Sequence, residues 1–384
     1  MKNLNQLLVL IILLTYGCRQ SFLPPIIATN SNYLVVEGII NSSGTDSTFI
    51  KLARTVPLNN ITSLKVETGA QLSVESDANI NYPLKELKTA GTYACAPLNL
   101  NKAGKYRLRI ITTDHRTYLS DFVPVKEVPA IDSLGYSIKP NGLQLYVNAH
   151  DAANATRYYR WDYTETWEFH AKYYSTFIAS NNTIIPRPFT QNVFYCWANL
   201  QSSDIVVAST NKLAQDVLYQ SVITTVPSGS EKLSMGYSIL VKQYAITEDA
   251  FNFWQNLRKN TEELGSIFDA QPSTINGNIH NINDNKEAVF GYISAGTTVQ
   301  KRITVLNGVL PSSWGQDDPY PKCGQDTIYP ADYASTFYGK PPAQLITIPA
   351  INPNHIMVGY LGSGAYCADC TVRGSVKKPA YWPN

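Results

Sequence analysis

Apolar and polar residues alternate with period two along much of this chain, which is the signature of half-buried strands. In Lys105-Tyr106-Arg107-Leu108-Arg109-Ile110, Tyr106, Leu108 and Ile110 share one side and the three basic residues the other. Gln71-Leu72-Ser73-Val74-Glu75 repeats the pattern, and Tyr118 to Val123 is a further candidate. Tyr33 to Ile40 and Thr48 to Arg54 are rich in β-branched residues and flank the turn cluster Asn41-Ser42-Ser43-Gly44-Thr45-Asp46. Short strands with frequent turns predict an N-terminal immunoglobulin-like antiparallel β-sandwich over residues 32–128.

Val128-Pro129-Ala130-Ile131-Asp132 reads as a hinge. Alternation restarts at Leu143 to Asn148, opening a second β-rich domain over 129–384. Its strongest strand places Tyr159, Trp161, Tyr163, Trp167 and Phe169 on one face and Arg160, Asp162, Thr164, Thr166, Glu168 and His170 on the other. The aromatic face could stack sugars, but a strand stripe of this kind predicts a sheet core. Glu165 breaks the stripe and suggests a bulge or an edge.

One helix is signalled near 247–261: Thr247 can cap it, Glu248 and Asp249 suit its positive end, and Ile246 can pack on Phe251. Phe251 and Trp254 are expected to be buried against the second sheet. Residues 268–286 read as an ordered connection, with Ala288–Tyr292 and Val299–Leu306 as two late strands. The segment 311–341 is rich in Pro and Tyr. Its Trp314, Tyr320, Tyr329, Tyr333 and Tyr338 form a candidate binding loop, against which stands simple packing of the loop onto the body.

The first eighteen residues change the picture. Lys2 precedes the uninterrupted apolar run Leu7–Leu14, and Thr15-Tyr16-Gly17 leads to Cys18. Such a run is too short for a permanent span, which needs roughly 20 residues, and reads as a lipoprotein signal with Cys18 as the lipidated residue. Arg19 to Ser31, with Pro24-Pro25, is an extended tether. The expected location is the outer membrane, lipid-anchored, with the membrane itself as one partner. Arg19-Gln20-Ser21 after the anchor leaves both the periplasmic and the cell-surface face open. A net charge of +2 with scattered basic residues gives no nucleic-acid footprint.

Removing Cys18 leaves Cys95, Cys196, Cys323, Cys367 and Cys370. Cys95 is the expected spare, being alone in the N-terminal unit. The other four are expected in two disulfides, with Cys367 and Cys370 each reaching back to Cys196 or Cys323; a local Cys367–Cys370 bridge is the alternative. Cys367-Ala-Asp-Cys370 lacks the helix start that a redox pair needs and the second ligand pair that zinc needs. No HExxH, Gly-x-Ser-x-Gly or phosphate-loop motif occurs, so no cofactor or metal is implied. Asn281–Asn285 resembles part of a calcium loop but reads as a turn.

Several stretches together resemble the domain-of-unknown-function family 4249, a group of exported bacterial lipoproteins. They are Val36-Glu37-Gly38, Cys196-Trp197, Gly265 to Ser273, Gly277-Asn278-Ile279, Gly291-Tyr292, Lys301-Arg302, and the tail Cys367-Ala368-Asp369-Cys370 with Lys378-Pro379 and Tyr381-Trp382. The resemblance implies an accessory lipoprotein of a TonB-dependent outer-membrane transporter, of the type that imports glycans, peptides or chelated metals. It implies no catalytic residue and leaves the ligand unnamed. The leading expectation is a non-catalytic partner of such a receptor. The alternatives are a hydrolase with carboxylates distant in sequence and a structural or adhesive surface protein.

Overall fold

A computed structural model of the protein describes residues 32–56, 65–262, 277–315 and 317–383. The signal stretch, Cys18, the tether over 19–31 and the stretch over 265–273 lie outside the described residues. The chain is mainly β. Strands β1 (Leu34–Asn41), β2 (Thr48–Arg54), β3 (Lys65–Val66), β4 (Gln71–Ser76), β5 (Asn81–Glu86), β6 (Thr92–Cys95), β7 (Lys105–Ile111), β8 (Thr117–Ser120) and β9 (Val123–Lys126) come first. Next are β10 (Ile131–Lys139), β11 (Gly142–Asp151), β12 (Tyr158–His170), β13 (Phe177–Ser180), β14 (Thr183–Pro186), β15 (Tyr195–Gln201), β16 (Val206–Ser209), β17 (Asp216–Pro227) and β18 (Gly236–Ala245). Helix α1 (Glu248–Thr261) precedes β19 (Ile279–Asn281), β20 (Ser294–Gly296) and β21 (Thr298–Leu306). The last strands are β22 (Asp326–Ile328), β23 (Leu345–Ile351) and β24 (Met357–Ser363).

The first body is a ring. Hydrogen bonding runs β7-β4-β5-β6-β2-β1-β20-β9 and returns from β9 to β7. Closure removes open edges, which would otherwise template aggregation. Inward positions alternate as the pattern predicts: Leu34, Val36 and Ile40 of β1, Ile50 and Leu52 of β2, and Leu108 and Ile110 of β7 fill the interior. Two expectations are corrected. The sheet is neither a plain antiparallel sandwich nor complete within 32–128. β20 inserts between β1 and β9, parallel to both, and β19 extends β8. Ile279, Val289, Ile293 and Ala295 therefore belong to the first core. Strands of three residues are too short to carry a period, and residues 288–292 make only a single bridge at Phe290.

The returning segment docks where the family-like residues gather. Gly291 (φ +139°) lies so close to β1 that a Cβ would come 2.1 Å from the Val36 carbonyl oxygen. Only glycine accepts both that torsion and that approach. Buried Asn278 receives the Ile293 N–H on its amide oxygen (2.8 Å) and donates its amide N–H to the Ile293 carbonyl (2.9 Å). It thereby replaces one rung of a ladder.

The second body is two sheets face to face. β10-β11-β17 covers β15-β12-β18-β21, with β16 also on β12. The odd face of β12 is core as predicted: Tyr159, Trp161, Tyr163 and Phe169 are buried. The Trp161 ring stacks on Tyr159 at 5.8 Å, and its indole N–H donates to Gln243 Oε1 at 2.9 Å. Glu165 is at neither a bulge nor an edge. β12 is central, and its register on β18 and β15 runs through Glu165 without interruption. The carboxylate stays inside because Lys232 Nζ (2.5 Å) and the Tyr237 hydroxyl (2.9 Å) satisfy it.

Helix α1 is capped as expected, with Thr247 Oγ1 accepting from the Ala250 N–H. Its inward residues are Ala250 and Phe253, whereas Phe251 and Trp254 are only half-buried. They pack, with Ile39 of the ring, onto a small cluster of Tyr244, Ile246 and Ala250 that joins the ring to the second body.

The tail is stapled down. Cys196 bonds Cys370, and Cys323 bonds Cys367, so each member of the Cys-Ala-Asp-Cys pair reaches back; Cys95 is free. The first bridge spans 174 residues of sequence. A loop of that length gives about 5 kcal/mol in the chain-entropy model, against a typical ~2–4 kcal/mol measured for disulfides. Cys196→Ser with Cys370→Ser is expected to lower stability by ~2–4 kcal/mol in urea unfolding. It should also make the tail the first site of limited proteolysis. An unchanged midpoint and digest would exclude the staple.

Candidate functional site

The ring and the second body face each other across a cleft of about 660 Å³. One wall is the outer side of β1 and β2. Glu37 lies opposite Lys51, and Ile39 opposite Phe49, all on the alternate positions that point away from the ring core. Gly38, between Glu37 and Ile39, has φ +150° and lies with its Cβ position 2.4 Å from the Phe49 carbonyl oxygen, so a side chain there would force β1 off β2. The other wall is the even face of the second body. Arg160, Asp162 and Thr164 of β12 pair in register with Tyr244, Lys242 and Leu240 of β18, and Gln300 of β21 pairs with Lys242. Trp254 and Leu257 of α1 and residues 201–205 complete the lining.

Arg160 and Asp162 within it are engaged with each other. The Arg160 guanidinium lies 4.0 Å from the Trp254 ring centroid and donates to Asp162 at 2.7 Å. Burial pushes the Tyr244 phenol far above its ordinary value; Asp162 and, across the cleft, Glu37 add to this, and Arg160 opposes it. The Tyr163 hydroxyl donates to Asp204, and burial with that carboxylate raises it to about 12. Both phenols are therefore neutral donors at pH 7, unable to serve as bases.

A smaller cavity of about 260 Å³ lies on the opposite face of the sheet, lined by Glu165, Lys232 and Thr224 among others. Tyr163 and residues 201–204 line both cavities. Glu165 in the smaller one is held by Lys232 and Tyr237, as described above. Among the described residues no group of three His, Cys, Asp or Glu side chains could hold a metal ion.

Most aromatics of the candidate binding loop pack onto the body. Tyr320 is 4% exposed; its hydroxyl donates to the His170 carbonyl and accepts from Arg373. Tyr333 packs against Phe337, Tyr338 and Tyr360. Trp314 packs on the second core. Of the five aromatics only Tyr329 exposes more than half of its surface, at 54%. Tyrosine packs its ring and still satisfies its hydroxyl, so a Tyr-rich loop can be pinned down rather than displayed. Asp318 is likewise bound to Lys172 at 2.7 Å, and Asn281–Asn285 is a turn, with Asn281 Oδ1 accepting from the Asn283 N–H.

The cleft residues escaped sequence reading because they come from separate strands and occupy polar faces. One signal was present: Phe49 is out of phase with Ile50 and Leu52, an aromatic on the solvent side of a half-buried strand, and it is 51% exposed.

A mainly β, disulfide-stapled chain of two bodies with a lined cleft between them is the class that fold and site define. The chain belongs to the family described as "Domain of unknown function (DUF4249)", whose model matches residues 19–302. Every cleft residue named above lies within that span. The tail with Cys367 and Cys370 lies beyond it, so the match is shorter than the resemblance in the sequence suggested. Comparison with curated proteins finds no match. Among solved structures the chain is similar to a two fibronectin type-III domain segment from chicken tenascin, at 11% identity over 55% of this chain and 89% of that one; the TM-score of 0.16 is too low to carry an argument.

Proposed function

We propose that this protein is a non-catalytic, lipid-anchored binding protein that captures a ligand in the cleft between its two bodies and serves a TonB-dependent outer-membrane receptor. The observation that carries the reading is the state of the cleft's carboxylates. Asp162 is bound to Arg160, Asp204 to Tyr163, and Glu37 faces Lys51 at 3.9 Å. Asp162 and Asp204 are each held by a donor of their own body, so neither stands as a free carboxylate facing a partner across the cleft as a hydrolytic pair would. The cleft instead offers fixed donors, acceptors and aromatic surface, which suits binding. Its position at a seam between bodies is a common place for ligands.

The anchoring part rests on Met1–Cys18. Two or more acyl chains on Cys18 would hold the protein stably, since each buried methylene contributes about 0.8 kcal/mol. Among the described residues no helix is long and apolar enough to cross a membrane. Cys18→Ala is expected to move the protein from the membrane pellet to the soluble fraction. Retention in the pellet would refute the anchor. Affinity purification of the tagged wild-type chain from detergent-solubilised outer membranes tests the partnership. A TonB-dependent receptor should co-elute, and its absence under mild detergent would count against the proposal.

A further inference from the structure

We infer that the ligand of the cleft is a neutral oligosaccharide, bound with a sugar face on Phe49 and its hydroxyls on the opposite wall. This rests on the reading of the cleft as a capture site and gives that site a chemical class. The first ground is charge. The lining holds Lys51, Arg160 and Lys242 against Glu37, Asp162 and Asp204, which sum to zero. An ionic ligand is selected by a complementary potential, and a balanced lining provides none. The Arg160 guanidinium, the group best suited to a carboxylate or phosphate, is already engaged with Asp162 and Trp254.

The second ground is the kind of surface left over. Phe49 stands half-exposed on the outer face of β2, beside Lys51 and opposite Ile39 of β1. Across from it, Thr164, Gln201, Ser202, Ser203 and Gln300 offer hydroxyls and amides. Gln201 is itself fixed by donating to the Tyr163 carbonyl (3.1 Å) and accepting from Thr164 (2.7 Å). Aromatic platforms with convergent uncharged polar groups match a molecule with one apolar face and a rim of hydroxyls. A pyranose ring is such a molecule.

The third ground is size and edge geometry. About 660 Å³ exceeds what a single sugar ring fills and lies within the usual ~300–1,000 Å³ range of small-ligand sites. An extended peptide would instead seek an unpaired strand edge. Most strands supplying the walls are paired on both sides, β1 between β2 and β20, β2 between β1 and β6, β12 between β15 and β18, and β18 between β12 and β21; β21, which supplies Gln300, is an edge of its sheet.

The test titrates the mature full-length chain in a calorimeter with malto-, cello-, xylo- and manno-hexaose. A tri-galacturonate, an alanine–glycine hexapeptide and ferric citrate serve as the other arms. At least one neutral hexaose should bind, and Phe49→Ala should weaken it tenfold or more with an unchanged melting temperature. Gln300→Ala should weaken it severalfold. Binding of none of the four hexaoses at millimolar concentration overturns the inference. So does hexaose binding that Phe49→Ala leaves unchanged. Phe49-dependent binding of the hexapeptide, the galacturonate or ferric citrate in place of the hexaoses overturns the sugar class while leaving the capture reading intact. If no arm binds and no receptor co-purifies, both readings fall.

Discussion

Trp161→Ala is expected to unfold the second body at ambient temperature or bring it close to unfolding. Trp161 of β12 is 0% exposed between the two sheets. Removing a buried tryptophan side chain costs about 3–5 kcal/mol through lost transfer energy and the cavity left behind. The Gln243 amide oxygen then loses its indole donor inside the core, adding about 1–3 kcal/mol. Natural domains are stable by only about 5–15 kcal/mol. Trp161→Phe keeps most of the volume but orphans the same oxygen, so it should fall between wild type and Ala. Far-ultraviolet circular dichroism during urea unfolding reads the order. A Trp161→Ala midpoint equal to wild type would mean that the core is not packed as described.

Lys232→Met is expected to cost about 3 kcal/mol, because it leaves the Glu165 carboxylate buried with only the Tyr237 hydroxyl for compensation. Breaking one partner of a buried pair typically costs ~3–5 kcal/mol. The lower end applies because the Lys232 side chain is 25% exposed and its carboxylate borders a cavity that admits water. Replacing both, with Glu165→Leu and Lys232→Met, should restore most of the loss, since two apolar groups carry no unmet solvation. The double-mutant cycle by urea unfolding separates these effects. Additive losses would show that the pair does not interact. Recovery in the double variant would show that the ion pair is a constraint on sequence, not a source of stability.

What could be read from the sequence divides along physical lines. Long strands with strict alternation were legible: the β12 aromatic stripe and the β7 pattern hold because one face is core and the other is not. The return of residues 279–296 to the first body was hidden. Its strands are three residues long, and its docking relies on close backbone approach at Gly291 and on an amide exchange at Asn278. Neither leaves a periodic trace. The helix was legible in its cap and less so in its face, where Phe253 and not Phe251 turns inward. The cleft was illegible because its residues sit on what sequence reading treats as solvent faces. The polar face of β12 is a wall only because another body stands opposite. The packing of the tyrosine loop was hidden for the reverse reason: contacts distant in sequence, such as Tyr320 with Arg373 and His170, hold its aromatics.

The position of β1 in the ring has a mechanical consequence. It is the first strand of the described chain; it pairs antiparallel with β2 over Leu34–Ile39, and on its other edge with β20 in parallel over Ile39–Asn41 and with Phe290 through a single bridge at Val35. A pull on the chain ahead of Leu34 runs along the strand axis. The cross-strand bonds on both sides lie across that axis, so they would be loaded together in shear and not peeled one at a time. Forced unfolding is governed by the height of the unfolding barrier, and a strand clamped on two sides raises it. A load applied ahead of Leu34 would therefore be met by the ring as one unit and not by β1 alone.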